Sequence, residues 1–491
     1  MTTSHRLSKS RFVAGLQCHK LLWWKVHEPN AVELQPDKVL QDRFDQGVHV
    51  GMVARERFPG GVLVDLPHTA GAERVALTQQ LLDDGAPAIF EATFIADNVF
   101  AAIDVLQRKD DGFHLTEVKA ANSCKAEYLP DAAIQAHVAT KSGLEISGVE
   151  IMHLNKDFRH PAQGDLLART DVTQAVRPLF GTIGWEIDAQ LAMLDGPLPD
   201  KPIGHNCFAP RECPFLARCW PNDPDHIIRL FNVGGKRACD HMVTGVHKIS
   251  DLPATERLQP TQQRQIRAMS EKRLIVERGL ATALEPFDCR LGFLDFETIQ
   301  RAIPVWPGMA PWEQAAAQLS YHERQPDGTY THAAYLAEGS HDARPELARR
   351  MIEATAGAER VVTYSSFEKT RIRGLQKSVP ALRPELEHLE RKLIDLLPVM
   401  RDHVYHPDFH GSFSLKHVLT PMVPELTYDD LVIVDGLVAS VEIARLLFVA
   451  QKISPEERDR VRQDLLDYCE RDTWAMVKLL ERLKELAKAA N

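Results

Sequence analysis

Two sets of side chains, far apart in the sequence, have the types and spacing that metal-assisted phosphodiester hydrolysis needs. In the first, Asp104 stands in the apolar frame Ala101-Ala102-Ile103-Asp104-Val105-Leu106, where a charge is costly unless it is used. Glu117 and Lys119 follow, and alternation along a strand puts both on one face. Two acids holding Mg²⁺ or Mn²⁺, with a lysine to orient water or neutralise developing charge, make a hydrolytic centre. An isolated Glu-x-Lys is commonplace on a solvated sheet face; the acid in an apolar frame nearby gives this one weight. In the second set, Asp295 and Glu297 share one side of the apolar strand Leu291–Glu297 and can share metal ions. Tyr468 and Asp472 are four apart and face the same way on a helix. Glu368 lies between them, where the strand Val361-Val362-Thr363-Tyr364 runs through Ser365-Ser366 into a helix.

The elements that position these groups are readable in outline. Pro87–Phe94, Val99–Leu106 and Phe113–Lys119 are β-prone runs separated by polar turns such as Lys109-Asp110-Asp111-Gly112, and a helix follows with Gln135 inside it. Pro221-Asn222-Asp223-Pro224-Asp225 predicts a linker. Residues 226–285 predict a wholly helical segment, and the chain closes with an amphipathic helix through Leu479, Leu480, Leu483 and Leu486. Three regions result, residues 1–222, 226–285 and 286–491, as a length of 491 residues requires more than one core. With 44% hydrophobic and 26% charged residues the composition is ordinary for a globular chain. No run approaches the roughly 18 apolar residues of a membrane span. Met1–Arg6 leads into polar sequence, so no signal peptide and a cytoplasmic location are expected. A net charge of −10 argues against a protein that simply coats DNA. Within 226–285, however, ten Lys and Arg stand against six Asp and Glu, which suits phosphate contact.

Cys207, Cys213 and Cys219 form a C-x5-C-x5-C array, more in keeping with metal binding than with disulfides in a cytoplasmic chain. Either zinc or a [4Fe–4S] cluster needs a fourth thiolate, for which Cys18 is the candidate. Cys124, Cys239, Cys289 and Cys469 have no such company.

Taken together, the first set resembles the PD-(D/E)XK nuclease superfamily in its RecB-like branch, which has a restriction-endonuclease-like fold. That resemblance implies that Asp104 and Glu117 bind metal, that Lys119 is catalytic and that Gln135 belongs to the helical glutamine motif. It adds His49, in Gln46-Gly47-Val48-His49, as a further ligand, and Glu91 as an acid of less fixed role. One early and three late cysteines resemble the iron–sulfur members, which more often space the last three as C-x2-C-x5-C; the longer gap here keeps zinc as an alternative. Leu230–Leu252 resembles a helix-hairpin-helix module, with Gly235, Lys236, Arg237 and Gly245 as its phosphate-contacting residues, or a helical spacer whose glycines are ordinary caps. Residues from about 290 to 485 resemble the DEDD (DnaQ-like) 3′–5′ exonucleases of the ribonuclease H-like fold. By that likeness Asp295, Glu297, Glu368 and Asp472 bind two Mg²⁺ or Mn²⁺ and Tyr468 positions water. Glu368 departs from the family's usual aspartate; Asp395 and Asp402 are nearby acids that could substitute for it. The domain order resembles predicted RecB-family nucleases of bacteria. The expectation is a mixed α/β nuclease, an exonuclease on single-stranded DNA ends or flaps with RNA as an alternative substrate. The competing readings are a nucleic-acid binding or assembly protein with one or both sites inactive, and a zinc-stabilised scaffold.

Overall fold

The computed structural model describes residues 5–489; the first four residues of the expected leaderless N-terminus lie outside them. The chain is mixed α/β and divides into two compact units, Met1–Pro221 with Arg301–Trp312, and Asn222–Gln300 with Glu313–Asn491. No helix among the described residues is long and apolar enough to cross a membrane.

The first unit is built on strands β1 (Leu7–Ser8), β2 (Val62–Leu63), β3 (Ala88–Ala96), β4 (Val99–Lys109), β5 (Gly112–Lys119), β6 (Ile146–Leu154) and β7 (Leu167–Asp171). Their order is β2-β3-β4-β5-β6-β7, with β1 beside the start of β4. β3, β4 and β5 form an antiparallel meander, and β6 returns parallel to β5. Gly112, at φ +128, closes the β4–β5 turn, where a Cβ would meet the Glu145 carbonyl oxygen at 2.7 Å. The parallel return needs a crossover, supplied by a helix rich in alanine that can lie close to the sheet. Helices α1 (Lys9–Gln17), α2 (His19–His27), α3 (Lys38–Arg55), α4 (Gly71–Asp83), α5 (Leu129–Lys141), α6 (Thr173–Leu194) and α7 (Leu216–Cys219) complete the unit. α5 is that crossover: Ala132, Ala133, Ile134, Ala136 and Val138 join Ile89, Ile103, Leu115 and Ile151 in the main core. Arg301–Trp312 packs within this unit, with the Trp312 indole N–H donating to the Ala120 carbonyl (2.9 Å) and Arg301 paired with Asp42 (2.7 Å).

The second unit starts with α8 (Gly234–Val243) and α9 (Pro260–Glu271), then β8 (Ile275–Val276) and α10 (Leu280–Leu284). The wholly helical expectation for 226–285 fails at β8: the β-branched pair Ile275-Val276 runs antiparallel to β14 (Val404–Tyr405). Between them come β9 (Leu291–Gln300), β10 (Gln314–Arg324), β11 (Tyr330–Leu336), α11 (Arg344–Ala354), β12 (Arg360–Thr363), α12 (Phe367–Ser378), α13 (Arg383–Lys392), β13 (Leu393–Asp395) and α14 (Leu396–His403). The sheet order is β11-β10-β9-β12-β13, antiparallel across β9, β10 and β11 and parallel from β9 through β12 to β13. α15 (Leu415–Met422), α16 (Gly436–Phe448) and α17 (Pro455–Ala489) follow. α17 buries Leu465, Tyr468, Cys469, Asp472, Met476, Leu479, Leu480 and Leu483, a helical stripe applied to β9 and β10.

Candidate functional site

In the first unit the alternation of β4 buries Val99, Ala101 and Ile103 and turns Phe100, Ala102 and Asp104 to the other face. A cleft of about 1050 Å³ opens there, with Arg6, Lys9, Arg11 and Glu91 also on its walls. The backbone N–H of Val118 donates to Asp104 Oδ2 at 2.7 Å, so β5 holds the acid in place. Glu117 is buried. Its Oε1 accepts from Lys119 Nζ (2.6 Å) and Lys9 Nζ (2.8 Å), and its Oε2 accepts from Gln135 Nε2 (2.6 Å). Lys119 Nζ also donates to Asp131 Oδ2 at 2.5 Å. Burial and then the Glu117 charge push the Asp104 carboxyl up. Burial would raise Glu117 too, but the Lys9 and Lys119 ammoniums override it and hold Glu117 down. Gln135 Oε1 is buried without a partner.

Glu91, at φ +58, interrupts the β3–β4 ladder opposite Asp104: Phe90 pairs with Val105 and Ala92 with Ile103, with no pair between. Such a backbone costs about 1–3 kcal/mol and is kept where surrounding structure enforces it. Here Arg74, buried, donates to the Glu91 carbonyl (3.2 Å), while Arg55 meets its carboxylate at 3.3 Å. Of the residues singled out from sequence, Glu117, Lys119 and Gln135 share one bonded network, Asp104 is fixed beside it through the Val118 N–H, and Glu91 lies on the same cleft as Asp104. His49 lies exposed on α3 and has no part in that network. Lys9 and Asp131 were not singled out from sequence. Lys9 lies more than a hundred residues from Glu117 and carries no spacing signal.

In the second unit, one carboxylate oxygen each from Asp295, Glu297 and Asp472 lies within 4.8 Å of the others. β9 presents the first two and α17 the third. Glu368 comes from the first turn of α12, is buried, and lies close enough to Asp295 for the two carboxyls to interact. The chain turns into α12 at Ser365, whose φ of +126 is strained, and whose N–H is held by Asp395 Oδ1 at 3.0 Å. The same Asp395 oxygen caps α14 through Leu397 N–H (2.9 Å), so one of its two oxygens is held by backbone. Asp402 instead pairs with Arg401 (2.7 Å).

Burial, then mutual repulsion, raises Asp295 and Glu297 well above the usual carboxylate range. Burial pushes Glu368 up to about 7 and Asp472 to about 6, the latter restrained by the Tyr428 hydroxyl. Glu368 Oε2 is buried with no partner. Tyr428 donates to Asp472 Oδ1 at 2.5 Å, Tyr468 hydrogen-bonds the same carboxyl, and Lys416 Nζ sits 5.1 Å from the Tyr468 ring centre. Lys416 opposes the rise of both Glu297 and Asp472, and Arg471 also opposes that of Asp472. Neither Tyr428 nor Lys416 was legible, because each reaches the centre from a segment with no motif of its own. Crowded, desolvated carboxyls with one orphan oxygen are a donor set for hard divalent cations.

A family described as Domain of unknown function (DUF2779) matches residues 292–414. The match takes in Asp295, Glu297 and Glu368 and stops before Lys416, Tyr428, Tyr468 and Asp472, so it covers the sheet's acids and not the closing helices. No curated protein and no solved structure matches the chain.

Cys18, Cys207, Cys213 and Cys219 line one small pocket with Trp24, Phe215 and Leu216, and all are free thiols. Cys18 enters at the junction of α1 and α2, Cys207 and Cys213 from loops linked by Cys213 N–H to the Cys207 carbonyl (2.8 Å), and Cys219 from the end of α7. Burial, then the other thiols, pushes Cys213 up to about 11. No three of the sulfurs crowd within 4.8 Å in the manner of the Asp295 trio.

Gly235, Lys236 and Arg237 form the first turn of α8 behind Gly234, with both cations exposed. Gly245, at φ +89, follows the end of α8, and its N–H donates to the Met242 carbonyl (3.0 Å). That is a helix cap, the more ordinary of the two roles its sequence allowed.

Proposed function

We propose that the chain is a metal-dependent nuclease, an exonuclease on single-stranded DNA ends or flaps with RNA as the alternative substrate. The observation that carries this reading is the convergence of Asp295, Glu297, Glu368 and Asp472, with Tyr468 against Asp472, from three separated stretches of sequence. These are the pieces and the order that gave the likeness to DEDD exonucleases of the ribonuclease H-like fold. The antiparallel meander with Asp104, Glu117 and Lys119, followed by the Gln135 helix, likewise supports the PD-(D/E)XK reading of the first unit.

The donor sets fit the groups the reading calls for. Glu368 Oε2, buried and unpartnered, is an acceptor that a cation would satisfy. Mg²⁺ or Mn²⁺, when bound, supplies an activated water and neutralises phosphate charge. The chain's own part is to hold that geometry: Val118 N–H fixes Asp104, Gln135 and the two lysines fix Glu117, and Tyr428 and Tyr468 fix Asp472. Lys119, kept charged by Glu117 and Asp131 although burial opposes it, stands beside the acids as the group to orient water or meet developing charge.

The four thiols on one pocket support a [4Fe–4S] cluster, held by Cys18, Cys207, Cys213 and Cys219 and tying the two ends of the unit together, with zinc as the alternative for the same four ligands. A cytoplasmic location goes with this reading, since eight free thiols suit a reducing compartment. The exposed first turn of α8 supports a phosphate contact by Lys236 and Arg237.

One observation favours a second reading, nucleic-acid binding with the first centre inactive: Lys9, Lys119 and Gln135 occupy both oxygens of Glu117. The test is degradation of end-labelled single-stranded DNA and RNA in Mn²⁺ and in EDTA, with Lys119→Ala and Asp295→Ala assayed separately. Cleavage in Mn²⁺ reduced by one or both substitutions is expected. Cleavage unaffected by either would refute the site assignments, cleavage lost with Asp295→Ala but not with Lys119→Ala would select an inactive first centre, and no cleavage with tight binding retained would mark both centres inactive.

A further inference from the structure

His322 on β10 and His332 on β11 are directly paired across the antiparallel ladder. Their rings stack with centroids 4.5 Å apart and planes at 24°. Glu470, on α17, brings a carboxylate to within 3.5 Å of His332 Nδ1. One ring nitrogen of each histidine and one Glu470 oxygen all lie within 4.8 Å of one another.

The hydrogen bonds behind the rings decide which nitrogens are free. Thr473 Oγ1 donates to the Glu470 carbonyl at 2.9 Å, one turn back along α17. Its oxygen is therefore an acceptor toward His322 Nδ1 (2.8 Å) and toward Ser320 Oγ (2.9 Å). With the Ser320 proton committed to Thr473, Ser320 Oγ accepts from His332 Nε2 at 2.9 Å. With the Thr473 proton on the Glu470 carbonyl, the chain assigns His322 its proton on Nδ1 and His332 its proton on Nε2. The lone pairs left over are His322 Nε2 and His332 Nδ1. In that state His332 Nδ1 and the Glu470 carboxylate are two acceptors facing each other, an arrangement a cation between them resolves. Imidazoles whose far nitrogen is held by a second group are the usual form of metal-ligating histidine.

We propose that His322, His332 and Glu470 form a transition-metal site, separate from the Asp295 carboxylates, with Ser320 and Thr473 as the residues that orient its histidines. Two imidazoles and one carboxylate select a borderline cation such as Zn²⁺ over Mg²⁺, and three protein ligands leave a position open to water. His332 and Glu470 are at the surface, so an ion can enter from solvent.

The site is tested with ZnCl₂ alone, titrated calorimetrically into the full-length protein in excess Mg²⁺, which keeps the carboxylate centre occupied. Glu470→Gln changes a surface side chain and His332→Gln gives up a ring stacked on His322, so far-ultraviolet circular dichroism verifies that both variants keep the fold. Each is expected to bind one zinc fewer than the parent protein, while Ser320→Ala keeps the stoichiometry and weakens that zinc about 10–100-fold. Equal zinc stoichiometry and affinity in the parent and both surface variants would overturn the proposal.

Discussion

Tyr428 illustrates how a centre depends on side chains that ligate nothing. Its hydroxyl holds one oxygen of Asp472 at 2.5 Å and so fixes the carboxylate that α17 brings to Asp295 and Glu297. Tyr428→Phe is therefore expected to weaken Mn²⁺ binding and cleavage about 10–100-fold while the fold persists. Calorimetric titration beside a cleavage assay checks this; an unchanged affinity would refute the role. In the other unit, Lys9→Met leaves buried Glu117 with one ammonium fewer. A loss of about 1–3 kcal/mol in denaturant unfolding at neutral pH is expected. Both residues show where sequence stops being informative. Asp104, Glu117 and Lys119 were legible because strand alternation and an apolar frame act within a few residues. Lys9 and Tyr428 reach their acids through tertiary structure alone, and a lysine near a polar N-terminus or a tyrosine in a loop leaves no local trace. His49 is the converse case, a residue raised by resemblance that stands exposed and outside the bonded network.

At the scale of elements, β9, α12 and α17 bring four acids into one desolvated space, and that has a pH consequence. A carboxyl whose folded pKa is raised binds its proton more tightly in the folded than in the unfolded chain. Its contribution to stability is full below the unfolded value, near 4, and is lost as pH rises through the folded value. For Glu368 and Asp472 the folded values are about 7 and about 6. In EDTA the melting temperature is expected to fall between pH 5 and pH 8, Glu368→Gln should flatten that fall, and Mn²⁺ should stabilise more at pH 8 than at pH 5. Scanning calorimetry reads all three; a slope unchanged in the variant would contradict the assignment. The cysteine pocket makes a second prediction. Phe215 is fully buried against Trp24, with ring centres 4.7 Å apart, beside Cys213 and Cys219. Phe215→Ala is expected to destabilise this unit by about 3–5 kcal/mol and to lower the iron content of anaerobically purified protein. Unchanged stability and iron would separate the apolar pocket from the thiols. The strand meander, the Gln135 helix and the closing amphipathic helix were readable from period alone. β8 was not, because a two-residue strand exists only through its distant partner β14.

For the whole molecule, the sequence divided the acids, the cysteines and the basic middle segment among three regions, whereas the chain folds into two compact units. Residues 222–300 pack with the second unit, and Arg301–Trp312 packs within the first. The sequence holds no signal for that exchange: the segment between β9 and β10 reads as a loop, and only its contacts, such as the Trp312 indole on Ala120, assign it. What composition did convey is the balance of charge. A net −10 chain with a locally basic stretch at 226–285 is compatible with the proposed acidic metal centres and phosphate contact. The proposed activity is phosphodiester hydrolysis at the Asp104 and Asp295 carboxylate centres. The most direct measurement is the rate at which purified protein releases nucleotides from end-labelled single-stranded DNA in Mn²⁺, compared with the double variant Asp104→Asn, Asp295→Asn. The account predicts release by the parent protein and a loss of at least about 100-fold in a double variant that still melts cooperatively. Equal release by both proteins, or none from the parent in Mn²⁺ or Mg²⁺, would contradict it.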